Sequence, residues 1–477
     1  MVQTIRYLTM TAHKNIRTFF EPRGIVLIGA RSSLGFGYGI PLLLKKQGWE
    51  DRLYLVNPKG GVLHGMTVYR NVGEVPDPVD LAIVIVAAPG VPEVLSAIGE
   101  RGIRHAIIES AGFAETGEKG KALQAETKKV LEKYGIRVLG PNCVGVVNTD
   151  NGLSTTDILD EALIPGNTAI IAQSGVFGNI LLDKLHLQRL YISKAVTLGN
   201  RIDVDESEIL DYLHQDPPTQ VIMMYLEGAA DGRLLTRTLM RVSRDKPVLM
   251  LKSGRTGQGV AATASHTGSL SGEDSLYEGM FAQTGVIRAK SLNELVEFTR
   301  VFSTQPLPLG PNLGIVTGSG SMGALATDAA VIAGLEVPPP SMAVVNEIQK
   351  RAPGWMNIKN PLDIGPSGLF EEALSALAQD PAYDMVLAIF TIPHAILLNL
   401  KALGVDIAQR FGEIKNLRKL APGKPLVVCV VGHDDFVDLA AELAGPAHIP
   451  ILTSPEMAAE ALAALWRYRQ WKERSTS

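Results

Sequence analysis

Short apolar segments alternate along the whole chain with amphipathic stretches of helical length, and several of the apolar segments end directly before a glycine. Short apolar runs bounded by turn residues are typical of buried strands. Strands that alternate with helices in this way form parallel sheets that the helices cover. The sequence therefore predicts an open α/β fold, and the alternation runs through three rounds.

The three rounds can be assigned to defined segments. In the first round the predicted strands are Ile25–Ile28, Leu53–Val56, Leu81–Val86, His105–Glu109 and Arg137–Leu139, with helices at Pro92–Arg101 and Lys119–Tyr134. In the second round they are Thr168–Ile171, Lys194–Thr197, Val221–Leu226 and Val248–Leu251. In the third round they are Leu313–Val316, Met385–Ile389, Leu426–Val431 and Ile449–Leu452, followed by a helix at Glu456–Arg467.

Chain length agrees with three rounds, because 477 residues at about 150 per domain give roughly three domains. The polar stretch NTDNGLSTTD, which begins at Asn148, and the proline-rich QPLPLGP, which begins at Gln305, look like linkers. We therefore predict three open, mostly parallel-sheet domains at residues 1–150, 151–305 and 306–477. In such sheets ligands bind beyond the carboxyl ends of the strands, so the residues there are the candidates for a site.

Charge and composition exclude several classes of partner. The 45 basic and 49 acidic residues leave a net charge of −4, which provides no overall cationic field for DNA or RNA. No stretch reaches 18 apolar residues, and the N-terminus lacks the pattern of a secretory signal. The two cysteines, Cys143 and Cys429, are typical of reduced thiols. We expect a cytoplasmic protein that binds neither nucleic acid nor membrane.

The first strand is followed by GARSSLGFGYG, a run of small residues that includes Gly29, Ala30, Arg31 and Ser32. Such a turn lets the backbone approach a nucleotide, although a glycine-rich turn also serves to pack helix against strand. After the second strand, where an NAD site usually has a carboxylate, the chain places Lys59. A cation there favours a ribose that carries a phosphate, as in NADP or CoA, and the alternative is a solvated loop lysine.

Three further turns follow strands of the first round, and they lie at the same predicted edge of the sheet. They are AAPG, ESAGF and GPNCVG, and their candidate ligand-binding residues are Ala88, Pro89, Ser110, Ala111 and Asn142. Each could be an ordinary loop, but together they predict one crevice lined by backbone amides, a hydroxyl and a side-chain amide. No tyrosine–lysine pair suited to hydride chemistry is evident.

The second round places an anion-binding turn after its first strand. Free N–H groups at the start of the helix after Ser174 and Gly175, together with its dipole, would bind an anion. The alternative is a serine that only caps the helix.

A histidine stands alone in the uncharged stretch GQGVAATASHTGSLSG. Its small residues predict a flexible loop, in which His266 could act as a covalent nucleophile that carries a phosphoryl group between sites. Glu227, directly after a strand of the same round, could orient the imidazole, or it could be a surface glutamate. No histidine spacing indicates a metal site.

From about Phe20 onward the chain resembles the NDP-forming acyl-CoA synthetases, which are related to succinyl-CoA synthetase. The resemblance rests on VLIGAR, VNPK, SAGFAETGE, GPNCVG, AQSGVFG, TLGNRIDVDE, YLEGAADGR, LKSGRTGQG and ASHTGSLSG, in the order of the family. It implies an α subunit with a Rossmann-like CoA-binding domain followed by two flavodoxin-like domains. It also implies that His266 is transiently phosphorylated, with Glu227 beside it and with Ser174 and Gly175 as the phosphate cradle.

The implied reaction converts acyl-CoA, ADP and phosphate into the carboxylic acid, CoA and ATP through an acyl phosphate and a phosphohistidine. In this family an ATP-grasp unit binds the nucleotide, and neither that unit nor a GxxxxGK[ST] loop occurs in this sequence. The resemblance therefore implies a separate β subunit that holds ADP or ATP with Mg²⁺, in a hetero-oligomer of the α2β2 type. Two departures from the family pattern are Ala172 and the turn TGSGSMG at Thr317–Gly323, while Asn360–Asp363 matches its NPxD element.

Two other functions stay open at this point. A CoA- or acyl-CoA-binding regulatory protein could keep the fold without complete ligase activity, although the intact histidine segment argues against it. An NADP-dependent oxidoreductase is the more distant alternative.

Overall fold

The computed structural model describes residues 16–31, 37–156, 158, 160–267, 272–404 and 423–476. The chain packs as two compact units, Met1–Lys290 and Ser291–Ser477. The first unit contains two seven-stranded sheets and the second a five-stranded sheet. The predicted α/β fold with three open, mostly parallel sheets is confirmed. The boundaries of the three domains stay a prediction.

The first sheet has the strand order β3-β4-β2-β1-β5-β6-β7. All neighbouring strands are parallel except the β3–β4 hairpin, which the sequence did not predict because its strands are partly exposed rather than buried apolar runs. The strands are β1 (Ile25–Ile28), β2 (Leu53–Val56), β3 (Gly61–Leu63), β4 (Met66–Tyr69), β5 (Leu81–Val84), β6 (His105–Ile108) and β7 (Arg137–Leu139). The helices are α1 (Ile40–Lys46), α2 (Val91–Glu100) and α3 (Glu118–Tyr134).

The second sheet has the order β14-β13-β12-β10-β11-β8-β9, in which β8 and β9 pair antiparallel. Its strands are β8 (Val146–Asn148), β9 (Leu153–Ser154), β10 (Thr168–Ala172), β11 (Ile192–Thr197), β12 (Val221–Leu226), β13 (Val248–Lys252) and β14 (Ile287–Ala289). Its helices are α4 (Gly175–Leu187), α5 (Glu206–Gln215), α6 (Gly232–Asp245), α7 (Gly257–Thr267) and α8 (Asp274–Thr284).

The stretch expected as a linker, NTDNGLSTTD, instead contributes β9 and the end of β8 to the second sheet. Five of its polar residues, Asn148, Thr149, Ser154, Thr155 and Thr156, are buried, and they find partners inside the protein. The Asn148 side-chain amide donates to the carbonyl of Phe20 at 3.0 Å, and the Thr155 hydroxyl accepts from the amide of Val146 at 2.8 Å. Polar composition predicted an exposed loop here, but these hydrogen bonds offset the cost of burial.

The third sheet has the order β16-β15-β17-β18-β19, and all its neighbouring strands are parallel. Its strands are β15 (Leu313–Thr317), β16 (Leu362–Asp363), β17 (Met385–Ile392), β18 (Leu426–Gly432) and β19 (Ile451–Leu452). The helices of this unit are α9 (Leu292–Thr304), α10 (Gly320–Ile332), α11 (Met342–Gln349), α12 (Phe370–Gln379), α13 (His394–Ala402), α14 (Asp434–Ala444) and α15 (Pro455–Thr476).

The central strands of each sheet are buried along their whole length, as expected for parallel sheets covered on both faces. In β1 and β5 every residue is buried, and the same holds for β10 and β15. From β1, β10 and β15 the chain first extends to one side of the sheet and then returns to the other. The strand order therefore reverses beside β1, β10 and β15, and these reversals create a crevice at the carboxyl edge.

Within the part of the chain that the structure describes, no helix combines the length and apolar character needed to cross a lipid bilayer.

Candidate functional site

A cavity of about 570 Å³ lies at the carboxyl ends of β1, β2 and β5, where the strand order of the first sheet reverses. Gly29 forms part of its floor with a φ of +101°. A Cβ at this position would lie 2.1 Å from the carbonyl oxygen of Ile85, so only glycine lets the two backbones approach so closely. The glycine-rich turn therefore both packs the backbone and opens a ligand-sized space.

The polar groups of this first cavity come from three turns and from the start of α2. Arg31, Asn57, Arg70, Asn71 and Glu93 line it. The Asn57 amide donates to the carbonyl of Ala30 at 2.9 Å, which joins the turn after β2 to the turn after β1. Two guanidinium groups in one cavity suit a ligand that carries several phosphates.

The residues predicted from the first round divide into two groups. Gly29 and Arg31 line the first cavity, and Ala30 is buried beside them. Lys59 and Pro89 are exposed and do not line it, whereas Ala88 is buried at the start of a short 3-10 turn. Ser32 lies outside the described residues.

Arg70 was missed by the sequence analysis. It directly follows β4, a strand of the hairpin that the sequence did not predict. A Cβ at Gly60 would come within 3.1 Å of Arg70 Cγ, so the turn after β2 packs against the arginine stem. The second cation of this cavity is therefore supplied by the hairpin.

A second cavity, of about 330 Å³, combines residues of the first two rounds. Ser110, Ala111 and Asn142 line it after strands of the first sheet, and Ser174 and Gly175 line it after β10 of the second. Five predicted site residues from separate parts of the sequence thus share one cavity within the first unit.

The first-sheet wall of this cavity is fixed by backbone geometry. Asn142 has a φ of +61°, and its backbone N–H donates to the carbonyl of Ser110 at 3.0 Å. The Ser110 hydroxyl donates to the carbonyl of Val86 at 2.5 Å. The hydroxyl thus holds the turn after β6 against the turn after β5.

The opposite wall is the start of α4. Ser174 occupies the N-cap position in an extended conformation, but its side chain makes no capping hydrogen bond. The alternative of a serine that merely caps the helix is therefore wrong. A Cβ at Gly175 would lie 3.0 Å from Val144 Cγ1, so glycine permits the close approach of the two walls. The first N–H groups of a 13-residue helix begin at this cavity, where the helix dipole favours an anion.

Gln173, which the sequence analysis did not select, joins the cradle to the neighbouring strand. Its side-chain oxygen accepts from the amides of Glu227 at 2.8 Å and Gly228 at 3.1 Å, and the residue is 1% exposed. It therefore fixes the end of β12 against the end of β10. A glutamine at the end of an apolar strand, just before a small-residue turn, was the signal that could have identified it.

Glu227 is 3% exposed, so the alternative of a surface glutamate is wrong. Its carboxylate accepts from the hydroxyl of Tyr225 at 3.3 Å. Burial, and to a lesser degree the charge of Glu227, raise the pKa of Tyr225, which keeps the phenol neutral as a donor. The ring of Tyr225 stacks on Phe177 of α4 with centroids 4.0 Å apart, which links the carboxylate to the helix of the cradle.

The segment that carries His266 is helical rather than a flexible loop, since α7 covers Gly257–Thr267. Alanines at 261, 262 and 264 favour the helix, because alanine has the highest helix propensity. The helix lies against the short turn Ala114–Thr116, which follows β6. The His266 side chain and residues 268–271 lie outside the described part of the chain.

The start of the corresponding helix in the second unit lies beside an acidic side chain. Asp363 Oδ2 would lie 2.8 Å from a Cβ at Gly320, so its carboxylate occupies the space beside the start of α10. Its other oxygen accepts from the amide of Gly365 at 3.0 Å. The turn TGSGSMG, which departs from the family pattern, therefore has the carboxylate of Asp363 beside the start of α10. The corresponding position in the second sheet is the phosphate cradle at the start of α4.

Comparison with known proteins identifies the domains. Residues 23–149 match the family model of the CoA binding domain, and residues 165–302 match that of the succinyl-CoA ligase like flavodoxin domain.

Full-length relatives extend this similarity. The chain is 34% identical to the α subunit of an ADP-forming acetate–CoA ligase I from Pyrococcus furiosus, over 96% of this chain and 98% of that subunit. It is 36% identical to an ADP-forming acetate–CoA ligase II from Archaeoglobus fulgidus, over 95% of this chain but 67% of that protein. Among solved structures, it resembles the dinucleotide forming acetyl-coenzyme A synthetase 1 of Ca. Korarchaeum cryptofilum in complex with phosphate and ADP. That match has a TM-score of 0.87 and 30% identity, and it covers 97% of this chain and 98% of the other.

Proposed function

Because the chain belongs to the family of ADP-forming acetate–CoA ligase α subunits, which are acid–thiol ligases, we propose that it works with a β subunit in one reversible reaction. In that reaction acyl-CoA, ADP and phosphate are converted into a carboxylic acid, CoA and ATP. The observation that carries the proposal is the second cavity, which unites the α4 cradle with the strand ends of the CoA binding domain.

CoA binds in the first cavity in this proposal. Arg31 and Arg70 bind its phosphates, and Arg70 takes the ribose phosphate for which the sequence suggested Lys59. A guanidinium suits this role because it offers several N–H donors to one phosphate. The turns at Ala88, Pro89, Ser110, Ala111 and Asn142 lead the pantetheine arm toward the second cavity.

The first chemical step takes place in the second cavity. Phosphate held by the N–H groups after Ser174 and Gly175 attacks the thioester carbonyl. A carbon–oxygen bond forms, the carbon–sulfur bond breaks, and CoA leaves as a thiolate that takes up a proton. The product is an acyl phosphate, which conserves the free energy of the thioester. The helix dipole stabilises the phosphate charge without adding a cation.

The second step transfers the phosphoryl group to the protein. An imidazole nitrogen of His266 attacks phosphorus, the bond to the acyl oxygen breaks, and the carboxylate leaves. Glu227, held by Gln173 and Tyr225, accepts a hydrogen bond from the other imidazole nitrogen and stabilises its charge.

The nucleotide half of the reaction belongs to a partner subunit. An ATP-grasp β subunit holds ADP with Mg²⁺, and it accepts the phosphoryl group from His266 within an α2β2 assembly. Two relatives of this chain are named α subunits, which supports a separate second component. A cytoplasmic location agrees with the free thiols of both cysteines.

The test is phosphorylation of the isolated chain with acetyl-CoA, radiolabelled phosphate and Mg²⁺. We expect an acid-labile, base-stable label that is lost in His266→Ala and kept in His214→Ala, a variant of a histidine paired with Asp245 at the surface. Undiminished label in His266→Ala would overturn the role of His266. Tight binding of CoA with no label under any condition would favour a regulatory protein instead.

A further inference from the structure

The turn that directly follows Glu227 is fixed by side chains that the proposed reaction does not use. The Arg201 guanidinium donates to the carbonyl of Gly228 at 2.6 Å, and the Glu206 carboxylate accepts from the backbone N–H of Ala230 at 2.8 Å. Arg201 and Glu206 are also paired with each other at 2.9 Å, and both side chains are buried. Hydrogen-bonded polar networks in the interior make the structure around them rigid. The turn is therefore a rigid support for the Glu227 carboxylate.

The two ends of the histidine segment, here residues 256–273, are joined to each other. Directly before the segment, the Arg255 guanidinium lies 3.7 Å from the carboxylate of Asp274, which directly follows the segment. Lys252, at the end of β13, places its ammonium group 4.6 Å from the centroid of the Tyr277 ring on α8. A cation over an aromatic face is attracted to it, most strongly where water is excluded, and both residues are buried. These contacts tie the base of the segment together.

Tyr277 also connects this base to the turn after Glu227. Its hydroxyl accepts from the backbone N–H of Ala229 at 2.9 Å. Gly272 lies against the same ring, because a Cβ at this position would be 3.3 Å from Tyr277 Cε2. Burial raises the pKa of Tyr277, so the phenol stays neutral at neutral pH and adds no negative charge beside the turn. One side chain therefore contacts both ends of the segment and the turn.

From this arrangement we infer that Tyr277 is a positioning residue for phosphoryl transfer: it holds the base of the histidine segment against the turn after Glu227, so that the imidazole of His266 meets the carboxylate. The inference rests on the proposed function, because it assumes that His266 accepts the phosphoryl group with Glu227 beside it. Tyr277 acts through the backbone and not on the reacting atoms. Such an effect can be large, because a misplacement of about 1 Å in a reacting group can slow a step about 100-fold.

The test removes only the hydroxyl, in Tyr277→Phe, which keeps the ring and its contacts with Lys252 and Gly272. It measures how fast radiolabelled phosphate labels His266 in the presence of Mg²⁺ and increasing concentrations of acetyl-CoA. At saturating acetyl-CoA we expect the rate to fall about tenfold or more. The half-saturating concentration of acetyl-CoA should stay within about twofold, because the residues that bind CoA are unchanged.

A double-mutant cycle with Glu227→Gln separates positioning from a general loss of structure. Glu227→Gln alone should slow the labelling about 100-fold or more, since it removes the acceptor for the imidazole. If Tyr277 acts by holding the segment against the Glu227 turn, the double variant should be slower than Glu227→Gln by no more than about threefold. Losses that multiply in the double variant would overturn the inference.

The matched control is Tyr383→Phe, which changes a buried tyrosine of the second unit whose hydroxyl donates to the carbonyl of Pro338 at 3.2 Å. It loses one buried hydroxyl as Tyr277→Phe does, and it should keep the labelling rate of the unmodified chain. Arg255→Gln provides a second variant, at a side chain that is 43% exposed. It removes the ion pair at the base of the segment and should slow the labelling about threefold without a change in half-saturation.

An unchanged rate in Tyr277→Phe would overturn the inference, and so would an unchanged rate in Arg255→Gln where Tyr277→Phe does not fold. The absence of label on His266 in the unmodified chain would overturn the proposed function and this inference together. A labelled unmodified chain with no loss in Tyr277→Phe would overturn this inference alone.

Discussion

The side chain of Gln173 provides the sharpest test of how the cradle is held together. Its oxygen is the acceptor for two buried amides, those of Glu227 and Gly228. Replacing Gln173 with methionine keeps the length and apolar stem of the side chain but removes the acceptor. Each buried N–H left without a partner costs about 1–3 kcal/mol, so two such groups predict a loss of about 2–6 kcal/mol of folding free energy.

The variant should lose local protection of these amides as well as global folding free energy. Hydrogen exchange measured by NMR or mass spectrometry should show that the amides of Glu227 and Gly228 lose protection in Gln173→Met, because their bonds to the side chain are gone. Phosphorylation of His266 should slow in parallel, since Glu227 is no longer fixed. Urea unfolding of the first unit gives the change in free energy.

The control is Gln379→Met, a change at an exposed glutamine on α12. Glutamine and methionine have similar helix propensities, so this variant should stay within about 0.5 kcal/mol of the unmodified chain. A Gln173→Met protein with the same unfolding free energy and unchanged amide protection would refute the reasoning.

Three further predictions concern binding, stability and pH. Arg70→Ala should weaken CoA binding about 10- to 100-fold, the effect expected for a charge-assisted hydrogen bond, while the affinity for dephospho-CoA changes little. In the same titrations, Lys59→Ala should change the affinity for either ligand by no more than about threefold. Lys194→Met should destabilise the protein by about 3–5 kcal/mol in thermal unfolding, because Lys194 is buried and pairs with the buried Asp216 at 2.8 Å. Burial raises the pKa of the Glu115 carboxyl, but hydrogen bonds to the carboxylate outweigh burial, and the net effect is a lowered pKa. The ionised Glu115 therefore stabilises the fold above the ordinary glutamate pKa of 4.5, and this stabilisation is lost as the pH falls below that value. Glu115→Gln should therefore flatten the acid limb of a plot of unfolding free energy against pH, and an unchanged limb would contradict this.

The strands were predictable because each is a short apolar run in a chain whose helices cover both faces of the sheets. β1, β2, β7 and β12 have the predicted bounds, and other predicted strands differ by one to three residues at an end. The β3–β4 hairpin, the β8–β9 pair, β14 and β16 were missed. Their strands are two to four residues long, and the buried Asn148 of β8 donates to the carbonyl of Phe20, a partner that only the folded chain supplies.

Parts of the candidate site could also be found from local sequence. Gly29, Ser174 and Gly175 stand at turns after buried strands, and the carboxyl edge of a parallel sheet is where ligands bind. Gln173 and Arg70 could not be identified as site residues in this way, because their roles depend on atoms of other strands. Gln173 is defined by amides some 54 residues later in the chain, and Arg70 by a hairpin without a clear pattern.

By itself the sequence determined the repeated α/β architecture, the motif set that marks an acyl-CoA synthetase, and the candidate residues at the strand ends. Tertiary structure decided how those ends combine: the turns after β6 and β7 of the first sheet and the start of α4 after β10 of the second sheet line one cavity. The reason is physical. Strand and helix periodicity is a property of neighbouring residues, whereas burial, charge environment and hydrogen-bond partners depend on residues far apart in the chain.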